Sequence, residues 1–147
     1  MVFDTHTAEE AVMTAITTRP LSDSTDSLLR FAMRADATVC GGLGLFIAFA
    51  ADPLSGLTGL TTAGQFLAGA ALAGYGFLLY VLAAAGALRR IGIGVVAANT
   101  AFVATALTVL AAGWLHLTAI GNTAALAFTA LTLALGYLQY LGVRRLA

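Results

Sequence analysis

Three long stretches of this 147-residue chain contain no Asp, Glu, Lys or Arg, and they cover residues 37–51, 53–88 and 91–143. A helix rises about 1.5 Å per residue, so about 20 apolar residues cross the hydrocarbon core of a bilayer. The third stretch is long enough for two crossings. Backbone amides in hydrocarbon must be paired within their own segment, which favours helices. The predicted fold class is all-α, a four-helix transmembrane bundle with helices at about 28–51, 62–88, 91–115 and 122–143.

The composition agrees with a chain whose solvent is largely the lipid bilayer. Hydrophobic residues make up 60%, charged residues only 10%, and the mean hydropathy is +0.93. Soluble domains contain about 45–50% apolar and about 25% charged residues. Seven arginines balance seven acidic residues and lysine is absent, so the chain lacks the basic stripe that binds nucleic acid. A single cysteine, Cys40, excludes an intrachain disulfide framework and a cysteine-based zinc site.

The arginines predict the orientation of the bundle. With four helices, all seven fall on one side, and the loops between the first and second and between the third and fourth helices contain none. The positive-inside rule makes that side cytoplasmic, so both termini are predicted to be inside (N-in/C-in). The expected location is the bacterial cytoplasmic membrane. Residues 1–27, where acidic residues are mixed with Thr and Ser, are predicted to be a cytosolic, disordered tail, and residues 28–147 the membrane domain.

Turn residues predict how the helices are connected. Pro53 and the residues around it end the first helix. Arg89 and Arg90 are expected to form a tight turn, with the second and third helices packed as antiparallel neighbours. Trp114 is predicted to be an interfacial anchor, and Gly121-Asn122 a turn followed by a helix N-cap. The apolar loop at 54–60 fits either a short helix along the interface or a loop over the bundle mouth.

Small residues four positions apart occur in the second and third helices. This spacing lets helix backbones approach closely in a membrane. It fits an oligomer contact or packing inside one bundle, and packing inside one bundle is the more common outcome. The residues are Gly69 with Ala73, Ala70 with Gly74, and Ala97 with Ala101 and Thr105.

Asp36 and Arg34 are the first candidates for a functional site. An ionisable group inside a span costs several kcal/mol unless it is paired, so Asp36 is a functional candidate by default. The competing interpretation is a salt bridge at the cytoplasmic interface with Arg30, Arg34 or an arginine of another helix. Asp36 is predicted to lie closer to that interface than a proton-coupled transporter would require.

Asn99 and His116 are the other candidates for polar, ligand or helix-contact roles. Asn99 is the only strong amide predicted well inside a helix, where it either bonds another helix or lines a cavity. Gln65 and Gln139 are expected near helix ends, solvated by headgroups. His116 is expected to be a wetted interface residue: it is the only histidine near the membrane, since His6 lies in the tail, and a heme held by two histidines would need a dimer. No catalytic set, metal site or cofactor site is predicted.

A resemblance to known membrane proteins covers roughly residues 28–147. The run from Leu29 to Ala37, followed by Gly41 and by Gly44-Leu45, resembles the start of a group of small actinobacterial four-helix integral membrane proteins. Further matching positions are Pro53-Leu54, Leu57-Thr58-Gly59-Leu60, Tyr75, Asn99, Leu138-Gln139, Gly142 and Arg144-Arg145. The resemblance implies a four-helix membrane fold without an established activity. A looser likeness to DoxX-like four-helix proteins rests on helix order and transfers no residue roles.

Two functions are consistent with these features. The first is a non-enzymatic membrane protein that acts by association, as an accessory subunit or scaffold with a membrane-protein partner or as a homo-oligomer. The alternative is a small transporter or a lipid- or quinone-binding protein that uses Asp36 and Asn99. The second predicts a polar cavity reached from one side and loss of activity in a folded Asp36→Asn variant.

Overall fold

The computed structural model describes residues 22–146 of the chain, with side chains from Asp26 onward. It contains five helices in this range: α1 (Ser22–Phe49), α2 (Ala51–Thr58), α3 (Thr62–Leu82), α4 (Leu88–Ala111) and α5 (Ala119–Arg145). Four of them, α1, α3, α4 and α5, are long and apolar enough to cross a membrane. The predicted all-α four-helix bundle is therefore confirmed.

The first long helix begins at Ser22, six residues before its predicted start, so the predicted tail overlaps the helix. Asp26 and Arg30 form an ion pair of 3.7 Å one turn apart, which favours helix in this segment. Arg30 also donates a hydrogen bond of 2.7 Å to the carbonyl oxygen of Ala83. The rest of the predicted tail, residues 1–21, lies outside the described residues.

The connection between α3 and α4 differs from the predicted arginine turn. α3 ends at Leu82, residues 83–87 form the connection, and Arg89 and Arg90 lie in the first turn of α4. Carbonyl groups at a helix C-terminus have no partner within the helix. The Arg30 guanidinium supplies a partner at Ala83, which explains why the helix ends several residues before the arginines.

At the end of the bundle opposite the arginines, a hydrogen bond joins the end of α2 to the connection that precedes α5. The short helix α2 ends at Gly59, whose φ of 87° favours glycine. The carbonyl oxygen of Thr58 accepts a hydrogen bond of 3.0 Å from the backbone N–H of Thr118. Thr118, rather than the predicted Asn122, is the N-cap of α5, and its hydroxyl accepts from the N–H of Gly121. The loop at 54–60 thus forms a helix that contacts the end of the bundle.

The closest helix pair is α1 with α3. A Cβ atom on Gly69 would lie 2.4 Å from the backbone nitrogen of Ala48, and one on Gly44 would lie 2.3 Å from that of Ala73. The pair Gly69 and Ala73 therefore serves packing within one chain. The pattern on α4 does not, because Ala97 and its two partners in the pattern are exposed.

The predicted neighbours α3 and α4 do contact each other, but through side chains and not as a closely packed pair. The two helices have almost no close backbone contact, and α4 packs mainly on α5. Bulky side chains occupy the space between them instead. Leu79 of α3 belongs to the same buried cluster as Leu88 and Val95 of α4, with Tyr75 and Leu82 packed against it.

Candidate functional site

Asp36 lies in the interior of the bundle, with 1% of its surface exposed. Its Oδ2 atom accepts hydrogen bonds from Asn99 Nδ2 at 3.0 Å and from Gln139 Nε2 at 2.8 Å. Its Oδ1 atom accepts from the thiol of Cys40, one turn further along α1, at 3.2 Å. One carboxyl group therefore connects α1, α4 and α5.

Asn99 extends these contacts to the fourth long helix. Its amide nitrogen also donates to Gln139 Oε1 at 2.9 Å, and its Oδ1 atom accepts from the hydroxyl of Tyr75 on α3 at 2.7 Å. Asn99 and Gln139 are 4% and 0% exposed, and Tyr75 is half-buried. We call Asp36, Cys40, Tyr75, Asn99 and Gln139 the Asp36 cluster.

Helical periodicity brings these side chains together. The buried residues of α4 recur every three or four positions, and so do those around Gln139 on α5, so each set forms one interior face. On α4 they are Leu88, Gly92, Val95, Asn99 and Val103, and on α5 they include Thr132, Leu135, Gln139 and Gly142. Two glycines let the helices approach near this level. A Cβ on Gly92 or on Gly142 would lie 2.7–2.8 Å from side-chain or backbone atoms of Leu29 on α1.

The cluster lies between the middle of the bundle and the end that carries the arginines, which we call the basic end. Asp36 is ten residues, about 15 Å, beyond Asp26, the first residue of its candidate span. Asn99 is at the middle of α4, and Gln139 is about 7.5 Å along α5 from Arg144. Asp36 is only about 3 Å along α1 from Arg34, so its level along the bundle is close to the predicted one, and the difference is that its side chain faces the interior.

No arginine pairs with Asp36 within the part of the chain that the structure describes. The ion pair found there joins Asp26 to Arg30 instead. Arg34 is exposed, two positions from Asp36 and on a different side of α1. The predicted interfacial salt bridge is therefore absent from this arrangement, and the carboxyl group is held by neutral donors alone.

All three contacts to Asp36 are donations to its oxygen atoms. Among the described residues, no buried side-chain nitrogen or oxygen lacks a hydrogen-bond partner. The cluster is a closed polar network, which positions its members firmly as long as the helices keep this arrangement.

The four candidates from the sequence do not converge on one site. Asp36 and Asn99 are in direct contact, whereas Arg34 lies on the surface at the basic end. His116 is exposed in the connection between α4 and α5, at the opposite end. Among the described residues, no group of three or more His, Cys, Asp or Glu side chains lies close enough to hold a metal ion.

Sequence reasoning missed three members of the cluster. Gln139 was expected to be solvated near a helix end, but it is fully buried because α5 continues to Arg145 and Gln139 shares its interior face with Leu135 and Gly142. That spacing is visible in the sequence and is the signal that predicts burial. Cys40 and Tyr75 carry the same kind of signal, since Cys40 is four positions from Asp36 and Tyr75 four positions from Leu79, but either residue type is common at apolar positions of a span.

Comparison with known proteins gives no match to a protein-family model, to a curated protein or to a solved structure. The chemistry of this chain therefore has to be argued from its own residues. The Asp36 cluster can accept a proton, or hydrogen bonds from a small ligand that replaces the donors now in place.

Proposed function

We propose that this chain is a small, non-enzymatic membrane transporter or binding protein whose ligand site is the Asp36 cluster. The observation that carries this proposal is the buried carboxyl group of Asp36, which three long helices share through neutral donors. The class of ligand follows from the acceptor. It is a small molecule or group that donates hydrogen bonds or carries a positive charge, including a proton.

The energetic argument favours a function over a purely structural role. An ionisable group inside a membrane is expensive and is generally associated with ligand or ion pathways. A well-packed apolar replacement of a buried polar network is often neutral or stabilising, so stability alone does not require Asp36. Hydrogen bonds between membrane helices contribute only about 0.6 kcal/mol each on average. Because each hydrogen bond contributes so little, donor groups of a ligand can replace the side chains of Cys40, Asn99 and Gln139 at the Asp36 carboxyl group.

The route to the site is expected between α3 and α4. These two helices lack close backbone contact, and Tyr75 donates the hydrogen bond that links α3 to Asn99. The Tyr75 ring is only half-buried, so Tyr75 is the member of the Asp36 cluster nearest to the surface. Rotation of this one side chain would expose Asn99, and Asp36 behind it, to a ligand that arrives from the lipid.

The first test is native mass spectrometry of the tagged protein after gentle detergent extraction from its native membranes. The wild-type protein is expected to carry a bound small molecule, and Asp36→Asn is expected to lose it while remaining monodisperse. Asp52→Asn is the matched control, because Asp52 is exposed and lies at the other end of the bundle. If Asp36→Asn does not fold, Asp36→Glu, which keeps the charge but moves it, is expected to weaken retention.

Two results would contradict the ligand site. One is a wild-type protein that carries no small molecule and conducts no protons in liposomes loaded with a pH-sensitive dye. The other is equal retention by Asp36→Asn and Asp52→Asn, since the site would then lie elsewhere.

A second candidate function is association in the membrane, as an accessory subunit or as a homo-oligomer. The observation that favours it is the outward face of α4, where small residues such as Ala97, Ala101 and Thr105 are exposed. Small residues at this spacing suit close contact with another helix. In the same experiment, a stoichiometric foreign subunit or a defined oligomer without a bound small molecule would support this function over the first.

Both proposed functions assume the same location and orientation in the membrane. We infer a bacterial cytoplasmic membrane with both termini in the cytoplasm, because the described arginines lie in the N-terminal half of α1, in the first turn of α4 and in the last turn of α5. The resemblance to actinobacterial four-helix membrane proteins and to DoxX-like proteins stays a proposal about relationship. It supplies no residue roles to either function.

A further inference from the structure

Two grooves follow one face of α1. The first, of about 440 Å³, is at the basic end and is lined by Asp26, Ser27, Arg30, Phe31 and Arg34 of α1. The second, of about 380 Å³, lies further along α1, where the helix packs on α3. Its lining includes Thr38, Gly41 and Leu45 from α1 together with Gly76, Phe77 and Tyr80 from α3.

The two grooves follow each other along the same face of α1, as helical spacing shows. Residues three, four and seven positions apart lie on the same side of a helix. The α1 residues that line the grooves follow this pattern from the first groove into the second: Arg30, Phe31, Arg34, Thr38, Gly41 and Leu45. From Arg34 to Leu45 the helix rises about 16 Å, which is close to the thickness of one leaflet of the hydrocarbon core, about 15 Å.

The first groove is suited to an anionic group. Asp26 lines the groove but is paired with Arg30, which is also held by Ala83, whereas the Arg34 guanidinium has no acidic partner within the described part of the chain and gives the groove its net positive charge. Phe31, between the two arginines in sequence, is 66% exposed and provides an apolar wall. Arginine side chains recognise phosphate oxygens through paired N–H donors, so a phosphodiester fits this position.

The second groove is suited to a hydrocarbon chain. The floor of the second groove is formed by Gly41 and Gly76, where the backbones of α1 and α3 meet and no side chain projects. The walls are formed by Leu45, Phe77 and Tyr80, all exposed. This part of the surface is therefore an apolar channel that starts directly beside the two arginines.

We propose that these grooves bind one anionic phospholipid, with its phosphate between Arg30 and Arg34 and an acyl chain along the glycines. A second copy of this chain fits less well. In the same membrane orientation its arginines would face those of the first copy at the same depth, and like charges repel. An acidic peptide would neutralise the arginines but would leave the apolar channel empty.

The experiment uses the full chain in nanodiscs that contain equal amounts of phosphatidylglycerol and phosphatidylcholine, followed by native mass spectrometry of the released protein. The wild-type protein is expected to retain one phosphatidylglycerol. Arg34→Gln is expected to lower that retention about fivefold, since each arginine near the membrane surface contributes about 1 kcal/mol to anionic lipid binding. Arg145→Gln is the matched control, because Arg145 is exposed and lies outside both grooves.

A second variant tests the acyl-chain part. A Cβ atom on Gly41 meets no atom within 4 Å, so Gly41→Leu is expected to project a side chain into the channel. It is expected to abolish retention, whereas Gly94→Leu on α4, which is equally unobstructed, leaves it unchanged. The site does not involve Asp36, so retention of phosphatidylglycerol by Asp36→Asn separates this lipid from the ligand of the Asp36 cluster.

Three results would overturn the proposal. Equal retention of both lipids would mean that the arginines do not recognise the headgroup charge. Normal retention by Gly41→Leu would mean that the acyl chain does not occupy the channel. A dimer that excludes lipid from the grooves, and that Gly41→Leu dissociates, would assign this surface to a second copy.

Discussion

The helix α3 contacts its neighbours α1 and α4 in two different ways. Where α3 packs on α1, the backbone at Gly69 and Gly76 lies directly against the α1 backbone, and neither glycine has room for a methyl group. Against α4, the helix α3 places the bulky side chains of Tyr75, Leu79 and Leu82, with one side-chain hydrogen bond, from Tyr75 to Asn99. The first seam is dense and apolar, and the second is wider and closed by a polar contact.

The difference indicates which parts of the bundle are fixed and which can move. In lipid there is little hydrophobic drive between helices, so close van der Waals contact and hydrogen bonds hold them together. A seam of interlocked backbone cannot open without loss of all its contacts. A seam that depends on rotatable side chains and on single hydrogen bonds of modest energy can open locally, and it is the one next to the Asp36 cluster.

The largest effect is expected from Gly69→Ala, which places a methyl group in the dense seam. The new Cβ would lie 2.4 Å from the backbone nitrogen of Ala48 and 2.7 Å from the carbonyl oxygen of Gly44, so α1 and α3 must separate. We expect a loss of about 3 kcal/mol in the free energy of unfolding, measured in mixed detergent and dodecyl sulfate micelles. Gly74→Ala is the control, since its Cβ meets no atom within 4 Å. Equal stability of the two variants would contradict backbone contact at this seam.

A smaller effect is expected from Asn99→Leu, which keeps the side-chain volume but removes the links of α4 to the polar network. Asp36 and Gln139 would each lose a donor, and the Tyr75 hydroxyl would lose its acceptor. Unsatisfied buried groups cost about 1–3 kcal/mol, so we expect a loss of about 2 kcal/mol. Hydrogen exchange should increase in α4 and remain slow where α1 meets α3. Faster exchange in both regions would mean that the seams are not independent, and Thr100→Val, exposed on α4, serves as the control.

The architecture was predictable because lipid imposes a simple rule on sequence. Stretches without charge had to be helices, and their number and approximate positions followed from length alone. The helix ends were less predictable. The end of α3 depends on a contact between Arg30 and Ala83, which are 53 residues apart in the chain, and no local pattern encodes such a contact.

The candidate site was only partly predictable. Asp36 and Asn99 were recognised one by one because polar residues are rare in apolar helices, but a sequence does not state which interior faces meet. The proximity of Arg34 to Asp36 suggested an ion pair, whereas a difference of two positions places them on different sides of a helix. Small residues four positions apart share one face of a helix, but the spacing does not say whether that face turns inward. The pattern therefore could not distinguish the packed Gly69 from the exposed Ala97.

The smallest effect is expected from Tyr75→Phe, which removes one hydroxyl from the wider seam. Asn99 would lose the donor to its Oδ1 atom while its bonds to Asp36 and Gln139 remain. We expect a loss of about 0.6 kcal/mol in the free energy of unfolding, the average for hydrogen bonds between membrane helices. Tyr137→Phe is the control, because its ring is exposed on α5.

A double-mutant cycle with Asn99→Leu measures whether the hydroxyl acts through Asn99. The effect of Tyr75→Phe should disappear in the Asn99→Leu background, since the hydrogen bond is already absent there. A local change in the seam should also appear as faster hydrogen exchange beside Tyr75 and Asn99. If the two substitutions are instead additive, Tyr75 does not bond Asn99 and the seam is held by apolar packing alone. The route between α3 and α4 would then need the displacement of Leu79 and Leu82 as well, which makes a ligand path through this seam far more costly than the rotation of one tyrosine.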